Sequence, residues 1–414
     1  MRKILILVYS FVFTAYVYTQ EEADARAIGM ALAQTAVSEN TDAYRWNPAN
    51  LGLNYKLKPK LTIAYTGFGF NNRNNIFSRT DYNKYNGRVL SEADKADIRD
   101  LLKGKKAFDF NGSGAARALS VQYKNYAVNF EAGGNGNMQL PREILDVVFA
   151  KDAYEVGSEN LSARGKGGGM AALRTSLSAG FPLTGLFDKH IREIAVGATL
   201  TYMRGIKQVT IKDFRAFIAE SDSFITGARF HTLQSSGGNG FSLSFGVSAQ
   251  INKEWFAGIS VIDVYSKMQW KTLNEKRVAQ FDVRSEDIFN AKKKSVDTTI
   301  YGGQYSTRLP GMLRAGVGYQ LDKEWLLAGD IEVILHNAPG NVTPRIAVGA
   351  ENHRWRKVIL RSGLSVGGVN QGLDMALGAG FLMGKTILDV GTNNLEGMIS
   401  QRSFSFALQI KTVF

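Results

Sequence analysis

Charged residues of both signs recur on alternating stretches of the C-terminal half: Arg314, Asp330, Glu332, Arg345, Glu351, Arg361, Asp374 and Asp389. Two chemistries are open to them. Carboxylates two residues apart on a strand, such as Asp330 and Glu332, share a face and can act as acid and base. The same carboxylates set against the arginines form an ion-paired network that fills an interior, or a polar path for solute. Nothing nucleophilic sits with them, which disfavours an enzyme and points to the network.

Other chemistry-bearing patterns dissolve on inspection. Residues 379–386, Ala-Gly-Phe-Leu-Met-Gly-Lys-Thr, fit a relaxed phosphate-loop pattern. Such a loop needs a helix after it, whose N-terminus holds the phosphate. Here a strand-like run follows, so the pattern reads as a hairpin turn. The glycine-rich run at 164–169 reads as a flexible basic loop. His190, His231, His336 and His353 show no metal-ligand spacing, and the chain has no cysteine, so neither metal nor cofactor is expected.

The elements that must position the charges are strands. In residues 402–414, Phe404, Phe406, Leu408, Ile410 and Phe414 share one parity, and Ser403, Ser405, Ala407, Gln409 and Lys411 share the other. An aromatic face opposite a small and polar face is the pattern of a strand with lipid on one side and a wet lumen on the other. Similar alternation recurs at 60–70, 116–124, 125–133, 171–181, 193–205, 239–251, 254–267, 312–321, 324–334, 344–352, 357–366, 373–382 and 385–392. That is about fourteen strands, an even number as a bacterial barrel requires. Connections alternate short and long along the chain, as turns on one rim and loops on the other would. A charge on such strands must face the lumen, because an Arg at the lipid midplane costs about 2–4 kcal/mol. Trp255, Trp325 and Trp355 fall beside short turns, where an interfacial aromatic girdle belongs.

The 414 residues carry a formal charge of +13. Arg2 and Lys3 precede an uncharged apolar run at 4–19, the pattern of a signal peptide over residues 1–19. Its removal leaves +11. The excess suits phosphate-bearing lipid headgroups rather than nucleic acid, given an exported chain.

Residues 20–59 are not strand-like. Asp24-Ala25-Arg26-Ala27-Ile28-Gly29-Met30, a spacer, and Trp46-Asn47-Pro48-Ala49 resemble the N-terminal signature of the FadL-type superfamily of outer-membrane barrels. That group holds long-chain fatty-acid channels and PorV/PorQ-type barrels of the type IX secretion machinery. The Trp before Asn-Pro-Ala is closer to the PorV-like branch. Where the family pattern has glycine after the Met, this chain has Ala31-Leu32. The terminal Phe414, with Phe404 and Phe406, resembles the signal read by the barrel-assembly machinery.

The resemblance implies an all-β fold: an antiparallel transmembrane β-barrel of about fourteen strands over 60–414, with residues 20–59 as a plug containing Trp46, Asn47, Pro48 and Ala49. It implies the bacterial outer membrane, with both termini periplasmic. Three functions are carried forward: a passage for hydrophobic small molecules, an accessory barrel of the type IX secretion machinery that binds secreted proteins, and a structural surface barrel. The long loops are expected to carry short helices, at residues 94–103, 141–150, 213–220 and 285–292. Their apolar residues Ile144, Val148, Phe149, Phe214 and Phe217 either pack on the rim or form a greasy external groove.

Overall fold

The computed structural model describes residues 23–53, 60–149, 161–183, 191–219, 225–271, 274–284, 292–336, 342–368 and 372–414. The expected signal peptide lies outside them. Alternation makes the wall. Its strands are β1 (Leu61–Asn74), β2 (Ala107–Tyr123), β3 (Tyr126–Pro141), β4 (Leu161–Pro182), β5 (Glu193–Ala219), β6 (Ile225–Gln250) and β7 (Trp255–Trp270). After an excursion the wall resumes with β11 (Gly311–Gln320), β12 (Trp325–His336), β13 (Thr343–Trp355), β14 (Val358–Gly368), β15 (Leu373–Met383), β16 (Thr386–Thr392) and β17 (Ser403–Val413). Every neighbouring pair is antiparallel. β17 pairs with β1 from Thr62↔Val413 to Arg73↔Ser403, which closes a ring of fourteen strands. Closure leaves no free edge in the wall.

Large apolar residues ring the outside. Phe68, Phe70, Leu173, Leu177, Leu200, Phe245, Val247, Ile259, Val348, Leu364 and Leu377 are all exposed. Such a band is what a barrel presents to hydrocarbon. Trp255, Trp325 and Trp355 are exposed at the short-turn ends of their strands, and Trp255 lies 4.6 Å from Tyr319. The short turns are made by local side chains. Asn252 Oδ1 accepts from the amides of Glu254 and Trp255, and Asp322 Oδ1 from those of Glu324 and Trp325. These are Asx turns. Gly384, at φ +65°, turns the β15–β16 hairpin, so the phosphate-loop-like run is a turn as expected.

One expectation about the loops fails and one goes untested. Residues 213–220 were expected to be helical from the spacing of Phe214, Phe217 and Ile218. Instead β5 runs on through Ala219, pairing Phe214 with Phe230 and Phe217 with Gly227 of β6. Ladder hydrogen bonds to a long partner outweigh a helical spacing of a few residues. β5 has 27 residues and β6 has 26, against the about ten that cross hydrocarbon, so both project far beyond the apolar band. The expected helix at 285–292 falls almost wholly outside the described residues; Lys292 opens a strand. β8 (Glu275–Arg284) and β9 (Lys292–Tyr301) form a hairpin on the projecting part of β6. A short β10 (Tyr305–Thr307) pairs with the end of β7.

The other two loop helices are present, at Glu92–Leu102 and Arg142–Phe149, with a further one at Arg79–Tyr85. Ser91 and Asp94 form a capping box at the start of the first of them. Ile98, Leu102, Phe108, Phe110, Met138, Leu140 and Leu145 pack together there, with Phe149 partly buried against them. Ile144 is buried as well. These apolar groups cover one another, which is the rim-packing alternative. The side chains of Val148, Phe214 and Phe217 lie outside the described ones.

Candidate functional site

Residues 23–53 lie within the ring. Their hydrogen bonds reach the inward faces of strands on all sides, from Arg117 and Glu131 to Ser248, Asp330, Glu351 and Gln409. A segment that touches so many strands of a closed ring on their inner face must occupy the lumen. Alanine is frequent here because little room remains. Met30, Ala33, Ala36 and Val37 pack on Phe256, Leu326, Ala328 and Ala347. Ala25, Ala27, Ile28, Leu32 and Trp46 pack with Ala407.

In the motif Trp46-Asn47-Pro48-Ala49, the residues Trp46, Asn47 and Ala49 are hydrogen-bonded. The Trp46 indole donates to Asp24 Oδ2 at 2.8 Å. Its carbonyl accepts from Ser260 Oγ at 2.6 Å. Asn47 Nδ2 donates to Ser248 Oγ at 2.8 Å and to the Val247 carbonyl at 3.0 Å. Its Oδ1 accepts from the Ala49 amide at 3.1 Å and starts the short helix Pro48–Leu51. Pro suits that first helical position, where the missing amide is not needed. The motif reaches the wall only because Gly197 of β5 and Gly246 of β6 have no Cβ. A Cβ on Gly197 would meet the Pro48–Ala49 backbone, and one on Gly246 would meet Asn47 Oδ1.

The eight lumen charges all point inward and are buried or nearly so. They are one part of a larger set whose other members lie on the N-terminal segment. Arg26 grips Glu351 with two bonds, 2.9 and 3.2 Å. Glu351 accepts from Arg361 at 2.6 Å, and Arg361 reaches Asp389 at 2.7 Å. Lys411 lies 3.6 Å from Asp389 and 3.2 Å from Asp42, and Arg117 completes the line at 2.6 Å from Asp42. The signs alternate along this line, so each buried charge has an opposite neighbour, as burial demands. Arg45 pairs with Glu131, which also has Arg174 at 3.7 Å. Arg314 and Arg345 share Glu332 at 2.6 and 3.1 Å. Asp330 accepts from the Gln34 and Thr35 amides and the Thr35 hydroxyl at 2.7–2.8 Å. Asp374 pairs with Arg73 at 3.0 Å.

Burial alone would raise the Asp42 carboxyl, but Lys411 and Arg117 outweigh it and hold the group well below the usual carboxylate range. It stays ionised. Sequence reasoning found the C-terminal charges and missed Arg26, Asp42, Arg45, Arg117, Glu131, Arg174 and Lys411. Arg117, Glu131 and Arg174 lie directly opposite one another in the β2–β3–β4 register. Their inward parity was a readable signal.

Outward of the segment, part of the lumen wall turns apolar. Met170, Ala172, Met203, Met268, Trp270 and Leu309 form one buried cluster, with Tyr305 partly buried against it. The Trp270 indole donates to Thr307 Oγ1 at 2.9 Å. At the seam, Phe404 and Phe414 are exposed on the outer face, while Ser403 and Ser405 point inward. Phe404 and Phe406 lie 5.2 and 5.9 Å from Phe70 and Phe68 of β1. The Phe414 amide donates to the Leu61 carbonyl at 2.9 Å.

No family model and no curated protein matches this sequence. Solved structures match in fold. The toluene transporter TbuX of Ralstonia pickettii aligns over 96% of this chain and 100% of its own, with a TM-score of 0.53 and 12% identity. The toluene transporter TodX of P. putida aligns over 96% of this chain and 99% of its own, at 0.51 and 10%. What is shared is the fold, over 96% of this chain and 99–100% of the other two.

Proposed function

We propose that the protein is a bacterial outer-membrane passage for hydrophobic small molecules, with residues 23–53 as its plug and both termini periplasmic. One observation carries the reading. The lumen wall, polar and charged around the plug, becomes apolar at Met170, Met203, Met268, Trp270 and Leu309 just outside it. A lumen holding only water has no use for such a surface; an apolar solute gains about 25 cal/mol per Å² buried there. The fold shared with two toluene transporters supports the same choice.

In this reading a solute meets the outer loops, where Ile144, Val148, Phe149, Phe214 and Phe217 are placed, and moves inward to the methionine wall. The plug, seated by Trp46, Asn47, Pro48 and Ala49 and latched by the lumen charges, then controls the way onward. Outer-membrane lipid surrounds the apolar band, and the barrel-assembly machinery reads Phe404, Phe406 and Phe414. The secreted-protein alternative has no observation in its favour, since the plug fills the lumen where a protein tail would enter.

The test is uptake of radiolabelled toluene by outer-membrane-bearing cells with and without the protein. Faster uptake with it, lost when Met203 and Met268 are both changed to Asp at unchanged barrel level, is the expected result. Equal uptake in both strains ends the transport reading.

A further inference from the structure

On one arc the outer face of the wall ends in cations. About ten residues of a strand cross hydrocarbon. At that distance from the short turns, the register lines up Tyr202 of β5, Phe241 of β6 and Lys267 of β7. Met203, Met268 and Trp270 are buried in the inward cluster, so Tyr202, Arg204, Lys267 and Gln269 point outward. Arg204, Lys267 and, just past β7, Lys271 are exposed. Arg308 joins them from the end of β10. Thr307 pairs with Met268, and the Leu309 amide donates to Ser266 Oγ at 2.8 Å, which places Arg308 beside Lys267. Leu309 belongs to the inward cluster, and Arg308 is exposed. At the corresponding distance from their short turns, β4, β12, β13, β15 and β17 present Leu173, Leu335, Ile346, Leu373 and Phe404 outward.

Among the described residues, none of these four cations forms an ion pair. The acids of the same strands lie elsewhere. Asp263 is buried, and Glu275 stands opposite Gln234, well outward of Asn239 on β6. The row that holds Arg204 continues with neutral groups only, Asn239, Gln269 and Ser306. Asn239 accepts from the Tyr202 hydroxyl at 2.9 Å. At and below the level of Lys267 the face carries exposed rings, Tyr202, Phe241 and Tyr265, the last two with centroids 5.5 Å apart. A face that is aromatic and apolar below and cationic above complements an anionic amphiphile lying along the wall.

We propose that this arc, from β5 to the end of β10, binds the phosphate groups of a membrane lipid whose acyl chains lie along Tyr202, Phe241 and Tyr265. Cations spread over several strands exceed what one phosphate can match, so the headgroup carries more than one. Arg204 and Arg308 offer paired donors suited to phosphate oxygens. Lys267 and Lys271 lay their stems on the apolar face and lift their ammonium groups to the headgroup level. Each such cation near a lipid surface adds about fivefold to affinity. The inference goes beyond the passage reading and uses only the barrel's place in the membrane. With the termini periplasmic, the lipid is one of the outer leaflet.

The test is native mass spectrometry of the full-length barrel in neutral detergent, titrated with diphosphoryl lipid A, monophosphoryl lipid A or phosphatidylcholine. Wild type should hold the diphosphoryl form most tightly, the monophosphoryl form about fivefold less tightly, and phosphatidylcholine least. Lys267→Gln combined with Arg308→Gln should weaken the diphosphoryl form about thirtyfold. Lys124→Gln combined with Lys323→Gln removes the same charge from exposed positions at the short turns and should bind as wild type does. Heat-modifiable gel mobility verifies that each variant is folded. Equal loss in both double variants would mean that net charge alone attracts the lipid, and full retention in the first would put the lipid elsewhere; either overturns the proposal. Displacement of the lipid by millimolar inorganic pyrophosphate would make this a site for a free anion and overturns it too. Binding is read in detergent, so its outcome is separate from that of solute uptake.

Discussion

The guanidinium of Arg314 sits 4.4 Å above the ring of Trp46. One residue belongs to β11, the other to the lumen segment proposed as the plug, and they form one of the contacts between it and the wall. Arg314 also donates to the Arg45 carbonyl at 2.7 Å and to Glu332 at 2.6 Å. A buried arginine is thus used at once as ion pair, hydrogen-bond donor and aromatic cap.

Arg314→Met should therefore loosen the plug without opening the barrel. Losing one partner of a buried pair costs about 3–5 kcal/mol, moderated here because Arg345 still faces Glu332. In planar bilayers the variant should pass ions more readily than wild type while its gel mobility stays heat-modifiable. Wild-type conductance would show that other latches suffice.

Much of this was legible in the sequence. The fourteen wall strands follow from parity, since lipid and lumen impose opposite demands on successive residues, and Phe404 against Ser405 shows both. The inward aim of Arg361 and Asp389 follows from the same rule. What parity cannot supply is the partner. Arg26 and Glu351 are 325 positions apart, and no local pattern links them. The projecting ends of β5 and β6 were hidden for another reason: Phe214, Phe217 and Ile218 mimic a helix face, and only pairing with β6 decides otherwise.

Ala31 and Leu32 adopt left-handed conformations, with φ of +50° and +71°. A Cβ in this region costs about 1–2 kcal/mol, which is why glycine suits such positions. Ala31→Gly removes that cost and little packing. It should raise the temperature at which the plug becomes accessible to protease. An unchanged or lower temperature would mean that the packing of the buried methyl group outweighs the strain.

Asp42 gives the plug a dependence on acid. Its carboxyl is held below the ordinary range in the folded state by Lys411 and Arg117, despite burial. A depressed folded value contributes stability that is present above the unfolded value, about 3.9, and is lost as pH falls towards the folded one. Plug seating in wild type should be level from pH 8 to about 5 and weaken below about 4. Asp42→Asn should weaken it throughout and flatten the acid limb. A steep acid limb in the variant would assign the effect to other carboxylates.

Phe414 is about half exposed, at 49%, so removing it costs the finished barrel little packing. Its proposed use is recognition during assembly. Deletion should lower the amount inserted in the outer membrane, and the barrel that does insert should melt near the wild-type temperature. Normal insertion would place the signal elsewhere in β17.

The backbone of the lumen segment comes very close to the wall at Gly197. A Cβ there would run into the backbone of Pro48 and Ala49. Backbone cannot swing aside as a side chain can, so even a small residue must displace the Asn-Pro-Ala turn. That turn is held by Asn47 to Ser248 and Val247, bonds worth about 1 kcal/mol each. The wall, in contrast, is held by continuous ladders to β4 and β6 on both sides of Gly197. The weaker partner yields. Gly197→Val should therefore unseat the plug and leave the barrel intact, and valine also suits a strand better than glycine does. Single-channel recordings should show long open events, and protease should cut within residues 23–53 from the periplasmic side. The same substitution at Gly329, whose added Cβ would meet nothing closer than 3.7 Å, is the control and should behave as wild type. If both variants behave alike, close approach of the Asn-Pro-Ala turn is not what seats the plug.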